Sequence, residues 1–441
     1  MAARRRRATR LALLALLALM LFGTAPARAV EIAEVTSPAG QVFWMVEEPA
    51  IPIVALEISF AGGARLDPEG RAGLARMVMG LLDEGAGEHD AVAFATRRDE
   101  LAARFSFDAG RDAVRVSAQM LVETLGPSVD LLATALAAPR FDPAAVERVR
   151  GQLLSQIAED RNDPGAVAGR AWSARAFPGH PYGTPVEGTL ESVAAITGAD
   201  LASQHRRLLT RANARIAVVG AIGPDEAGRL VDTLLAGLDA GAPLEPPPAG
   251  EAPPPGIEVI PLDVPQSAAV FGHAGIARAD PDFIPAYLMN YVLGGAGLTS
   301  RLMQEVRNKR GLAYGAHAFL VTYQGASLYL GNVRTENARI AESLEVIRAE
   351  WARMAAEGAT AEELETAKRY LTGAFPLNID SNAKIANYLV FMQEEDLGID
   401  YMDRRKELIE AVTLEDVRRV AARLLDAQAL SIVVVGQPEG L

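Results

Sequence analysis

The sequence predicts an α+β protein built from two homologous lobes, each a mixed, mostly antiparallel sheet covered by helices. Three observations predict it. Strand-like and helix-like stretches alternate along the chain, a proline-rich segment divides them near the middle, and one helix–strand pattern closes both sides.

Residues 1–29 stand outside that fold. Arg4, Arg5, Arg6, Arg7 and Arg10 form a basic head, an apolar run extends from Leu11 to Phe22, and Ala27-Arg28-Ala29 supplies a small-residue site. This is the pattern of a secretory signal peptide cleaved after Ala29. The run is 12 residues long, whereas a helix crossing a bilayer needs about 20. No later stretch is longer and as apolar, so no stable membrane insertion is expected. Beyond the leader, the β-branched content of residues 51–60 predicts a strand, and apolar spacing predicts helices over 71–83, 121–137 and 143–159. Residues 196–220 read as a capped helix followed by a buried strand. Residues 239–256, dense in Pro, Gly and Ala, predict a semi-rigid extended spacer. It separates an N-terminal domain, 30–238, from a C-terminal domain, 257–441. In the second, 320–333 predicts a hairpin turning at Gln324-Gly325, and 339–357 and 361–373 predict helices. Residues 412–436 then repeat 196–220 without a gap at an offset of 216: Thr197 matches Thr413, Asp200 matches Asp416 and Gly220 matches Gly436. Each Thr, with an acid three residues on, is a capping-box signature. Shared caps and a shared Val-Val-Gly ending point to a duplication.

Composition narrows the function. The chain has 441 residues, 50% hydrophobic and 22% charged, enough for two or more globular domains. Six arginines and no acids leave with the leader, which moves the net charge from −13 to −19. So acidic a surface repels phosphate backbones and argues against a nucleic-acid partner. There is no cysteine, so thiol catalysis and thiolate metal sites are excluded and packing alone supplies stability. The Arg- and Ala-rich usage suits a bacterial source, with the periplasm as destination. The five histidines, His89, His180, His205, His273 and His317, include no pair at helical ligand spacing.

Four stretches together resemble the insulinase/pitrilysin family of inverted zinc peptidases, especially its short bacterial members and the mitochondrial processing peptidase subunits. They are GGARLDPEGRAGLARMVMGLLDEGA (62–86), AFPGHPYGTPVEGTLESVAAIT (176–197), NYVLGGAGLTSRLMQEVRNKRGLAYG (290–315) and the repeated helix–strand endings. The resemblance implies two lobes closing as a clam-shell around peptide. In that family a His-x-x-Glu-His helix and an acid about 76 residues further on hold zinc, and the Glu acts as base. Here Arg76, Met79 and Gly80 stand at the motif positions, and counting 76 from Gly80 reaches Gln156. A guanidinium repels a cation and glycine offers no ligand atom, so no metal is expected on this chain. The family's second half also brings an Arg and a Tyr, seven residues apart, to the zinc site. Arg307 and Tyr314 match that pair, on a helix expected to run from a Thr299 or Ser300 cap to Arg310, with Gly311 left-handed and a strand from Leu312. Both side chains suit the oxyanion that develops on a peptide carbonyl. The glycines Gly294, Gly295 and Gly297 are expected to let substrate backbone approach.

The resemblance therefore implies a non-catalytic subunit of an exported heterodimeric peptidase. This chain would bind peptides or small unfolded proteins and stabilise the transition state, and a paralogous partner subunit would carry the zinc. A silent peptidase-like binding or scaffold protein is the alternative.

Overall fold

A computed structural model describes residues 31–295 and 297–441. The leader and its cleavage site lie outside the described residues.

Six strands before the proline-rich segment form one sheet: β1 (Ala33–Thr36), β2 (Val42–Glu47), β3 (Ile53–Ala61), β4 (Arg104–Ala109), β5 (Ala113–Leu121) and β6 (Ala214–Gly220). Five after it form another: β7 (Gly256–Pro261), β8 (Gln266–Ala274), β9 (Ala316–Tyr323), β10 (Ala326–Glu336) and β11 (Ser431–Gly436). The first sheet runs β1-β2-β6-β3-β5-β4 and the second β7-β11-β8-β10-β9. Apart from the extra strand β1, the two orders are the same. In both, the only parallel pair among the described residues joins the closing strand to the first strand of the repeat, β6 to β2 and β11 to β7. The sheets are thus mixed and mostly antiparallel, as expected.

Helices in the first half are α1 (Leu74–Met79), α2 (Ala91–Glu100), α3 (Leu125–Ala137), α4 (Pro143–Asp160), α5 (Pro164–Ala176), α6 (Leu190–Ala194), α7 (Gly198–Leu208) and α8 (Pro224–Leu235). The second half contains α9 (Phe283–Asn290), α10 (Ile340–Glu357), α11 (Ala361–Gly373), α12 (Asn382–Glu394), α13 (Tyr401–Ala411) and α14 (Leu414–Leu424). The order α3 to α7 then β6 is repeated by α10 to α14 then β11, so the duplication reaches well beyond the segment in which it is legible. Both predicted capping boxes are formed: Thr197 with Asp200 on α7 and Thr413 with Asp416 on α14.

The closing strands are almost continuously apolar because both of their faces are covered. Ile216 and Val218 pack into the first half's own core, while Ala217 and Val219 face Ile385, Leu389 and Val390 of α12, which comes from the other half. The reverse exchange holds in the second sheet. Ile432 and Val434 join its own core, and Val433 and Val435 meet Ala168, Trp172 and Ala176 of α5. The exchanged elements are equivalents in the duplication. Trp172 Nε1 donates to Ser431 O at 2.9 Å, and Gln393 Nε2 donates to Ile216 O at 3.0 Å.

Two expectations change, and the proline-rich spacer proves to be anchored. The helix expected over 71–83 forms only at Leu74–Met79. The Asp67 carboxylate accepts from the backbone N–H of Gly73, Leu74 and Ala75 and so fixes the start three residues late, while Gly80 closes the C-terminal end. The strand expected from Leu312 begins at Ala316, because Gly311 N and Leu312 N bond back to Arg307 O and Val306 O. The proline-rich segment is held along the seam between the halves: Gly250 N donates to Gly325 O, and His180 Nε2 lies 3.0 Å from Pro248 O.

Candidate functional site

The degenerate motif lies on α1, whose position is set by the partly buried Asp67. Burial pushes that carboxyl up to about 7, against the backbone N–H donors and Gln204, which pull it down. Arg76 projects toward the sheet edge and pairs with Asp108 on β4. A cation site would have its own positive charge at this point, already matched by an acid. Met79 is fully buried in the first half's core. A Cβ on Gly80 would lie 3.5 Å from Val149 Cγ1 on α4. Counting from the motif leads to the same helix, α4, but Gln156 is exposed there, seven residues and about 10 Å of helix beyond Val149. Among the described residues, no group of three or more His, Asp or Glu could hold a metal ion.

The second-half residues sit on a different kind of helix. After Arg301 and Leu302 the turn widens to a π-helix over Met303–Lys309, a form frequent at functional sites. Neither Thr299 nor Ser300 caps it with a side chain in the expected way; Ser300 Oγ bonds Gly297 O at 3.5 Å. Glu305, nearly buried, receives Lys309 Nζ at 2.6 Å and Arg310 Nη1 at 2.5 Å, and these bonds hold its carboxyl below the usual range. Lys309 and Arg310 are therefore committed to the turn itself. Arg307 is exposed and, among the described residues, makes no ion pair. Gly311, with φ 61°, reverses the chain as predicted, and Tyr314, 86% exposed, follows in the loop that leads to β9. Among the described residues, no hydrogen bond or ion pair joins Arg307 or Tyr314 to Arg76 or Gly80.

Within the glycine run, Gly294 has a different role from the one expected. A Cβ on Gly294 would fall 2.8 Å from Ala318 N and 2.8 Å from Leu302 Cδ1, so the close approach it permits is to this chain's own β9. Gly295 likewise abuts Asn290, and Gly297 occupies a left-handed turn. Gly294 is therefore closed by the chain itself, whereas Gly295 is exposed and lines a cavity in the second half.

Sequence reasoning missed the cavity between the halves, about 960 Å³, which no motif marks. Its walls include Asp108, the β4–β5 turn with Arg111 and Asp112, the tip of the β9–β10 hairpin, and Glu394 and Glu395 at the end of α12. Asp112 organises one wall. It accepts from Tyr182 Oη at 2.6 Å and from Gln324 N at 3.0 Å, so the hairpin tip of one half is pinned to the other. Glu394 pairs with Arg115 and accepts from Ser59 Oγ at 2.5 Å. The alternating Arg and acid walls can bind peptide groups by hydrogen bonding, but among the described residues no nucleophile–base pair or metal set is assembled there.

The fold and the site define a two-lobed peptidase architecture whose metal helix has lost its ligands. Comparison with known proteins agrees. A family profile described as Insulinase (Peptidase family M16) matches residues 42–190, and one described as Peptidase M16 inactive domain matches residues 195–371. The chain is 28% identical over 406 residues to "Uncharacterized zinc protease ML0855" of Mycobacterium leprae, covering 91% of each chain. It is 26% identical over 332 residues to "Non-peptidase homolog YmxG" of Helicobacter pylori, covering 75% of this chain and 77% of that one. Among solved structures, a peptidase M16 inactive domain from Pseudomonas fluorescens superimposes with a TM-score of 0.88 at 28% identity, covering 93% of this chain and 98% of that one. A protease from Helicobacter pylori, 18% identical, shares the fold with a TM-score of 0.84 over 93% of this chain and all of that one. The chain belongs to the insulinase family of peptidases, M16. With Arg76, Met79 and Gly80 in the motif, it is a catalytically inactive, peptidase-like member.

Proposed function

We propose that this chain is exported, loses its leader after Ala29, and acts in the periplasm as the non-catalytic subunit of a heterodimeric zinc peptidase. Its substrates would be peptides or small unfolded proteins. The observation that carries the reading is the contrast within one turn: Lys309 and Arg310 are bound to Glu305, whereas Arg307 and Tyr314 are exposed and uncommitted. A donor pair kept free after the chain's own metal helix has decayed suits a site completed by a second chain. Zinc, on that partner, would polarise the scissile carbonyl. This chain would contribute the Arg307 guanidinium and the Tyr314 hydroxyl as hydrogen-bond donors to the carbonyl oxygen, where charge builds in the transition state.

The test is reconstitution with a zinc-bearing paralogue from the same organism. Co-purification as a pair, zinc on the paralogue alone, and peptide cleavage only by the pair are the expected results. A paralogue fully active by itself would leave the alternative, a silent binding or scaffold protein.

A further inference from the structure

The second half contains a cavity of about 430 Å³ between β9, α9, α12 and α13, within the size range of small-ligand sites. Seven aromatic side chains line it, including Phe283, Phe319, Tyr388 and Phe391, together with two arginines, Arg278 and Arg405, and no acidic residue. Neither guanidinium has an ion-pair partner among the described residues. Arg405, 9% exposed, lies with Cζ 4.4 Å from the Phe375 ring centre and donates Nη1 to Leu371 O at 3.0 Å. Arg278 sits 4.2 Å above Phe283 and donates one Nη to Tyr401 Oη at 2.9 Å, while its Nε is buried without a partner. Asn290, 6% exposed, also lines the cavity, and its side-chain oxygen is buried with no donor. In a chain of net charge −13, an acid-free pocket with two such guanidiniums is unusual. Unpaired buried polar atoms are costly and call for a partner. Glu395, whose charge acts on Arg278, is outside the pocket lining and bonds Thr322 Oγ1 at 3.0 Å.

We infer that this cavity binds the C-terminal residue of a peptide ending in an aromatic side chain. The ring would enter the aromatic lining, the terminal carboxylate would accept from Arg278, and the residue's own amide N–H would donate to Asn290 Oδ1. Arg278 and Thr322 line both this cavity and the larger one between the halves, so a chain lying in the latter can reach it. A role in orienting substrate or product rests on the peptidase-subunit reading. The binding does not, since it needs only this chain.

The experiment is calorimetric titration of the isolated mature protein with N-acetylphenylalanine, its carboxamide, and phenylpropionate. The acid should bind one to one, and the carboxamide, lacking the charge, about tenfold or more weaker, as expected for a charge-assisted hydrogen bond. Arg278→Gln should weaken the acid by a similar factor and leave the carboxamide unchanged. Equal affinity for acid and carboxamide, or full affinity in Arg278→Gln, would overturn the site. Phenylpropionate, which has no N–H, should bind more weakly; binding as tight as the acylated amino acid would overturn the peptide-end assignment. Should the variant fail to fold, a benzophenone analogue of N-acetylphenylalanine can be photo-crosslinked to the native protein. Label on residues 283–290, 316–323 or 382–411 supports the site, and label confined elsewhere refutes it.

Discussion

Arg307 and Tyr314 are the residues on which the functional proposal turns. Tyr314→Phe removes only a hydroxyl, and Arg307→Ala removes a side chain that makes no ion pair among the described residues. In the reconstituted pair, each should lower kcat by about 10²–10³, the usual cost of one oxyanion donor, with folding and association unchanged. Asn308→Ala is the suitable control; Arg310 is not, since it anchors Glu305. Full activity with both residues replaced would make the pair structural. A second residue-scale prediction concerns His273. Its Nδ1 donates to Ala274 O at 2.7 Å, so its Nε2 must accept from Trp351 Nε1 at 3.0 Å. Burial holds its pKa below the ordinary value. A histidine with a lowered folded pKa contributes stability that is complete above its unfolded pKa, about 6.5, and is lost as pH falls below it. The urea midpoint should therefore drop between about pH 7 and 5, and less steeply in His273→Gln, which keeps an acceptor for Trp351. An unchanged slope would show that His273 does not set it.

At the scale of elements, the repeat was legible because capping chemistry is local. Thr197/Asp200 and Thr413/Asp416 are fixed by residues three apart, and the structure forms both boxes. Thr413→Ala should cost about 1 kcal/mol of unfolding free energy, measured by denaturant titration. Hydrogen bonds to Thr413 hold the Asp416 carboxyl down at about 2. That stability is present above the unfolded carboxylate pKa, about 3.9, and is lost as pH falls toward 2. The deficit of Thr413→Ala should therefore shrink in acid. The shortened α1 was not legible. Its start depends on Asp67 folding back over three backbone N–H groups, and the apolar spacing of 71–83 persists through the turn that results. Likewise, a glycine run reads the same whether its space is taken by substrate or, as at Gly294, by the chain's own β9.

For the whole molecule, the exchanged helices decide how the halves behave. Trp172, 2% exposed, belongs to the first half but is buried against the second sheet. Trp172→Ala should cost about 3–5 kcal/mol and destabilise both halves together, seen as a single shifted transition by far-UV and fluorescence probes. Two separated transitions would contradict that coupling. For the same reason, proteolytic nicking within 239–256 should leave the halves associated on size exclusion. Export belongs to this scale too: intact mass from the native host should begin at Val30, and a retained arginine head would count against it.

The sequence by itself determined the family, the duplication, the divided α+β architecture and the loss of the zinc ligands. Each of these is written in local pattern or residue identity: caps, Val-Val-Gly endings, and Arg76 and Gly80 where ligands belong. Only the tertiary structure decided that α5 and α12 change places between the halves, that Val149 rather than Gln156 meets Gly80, and that Arg278 and Asn290 converge on one cavity. Most of these features join residues that lie dozens to hundreds of positions apart, such as Gly80 and Val149 or Trp172 and Ser431. An apolar helix face specifies burial but not the sheet that buries it, so the partner is chosen only when the chain packs.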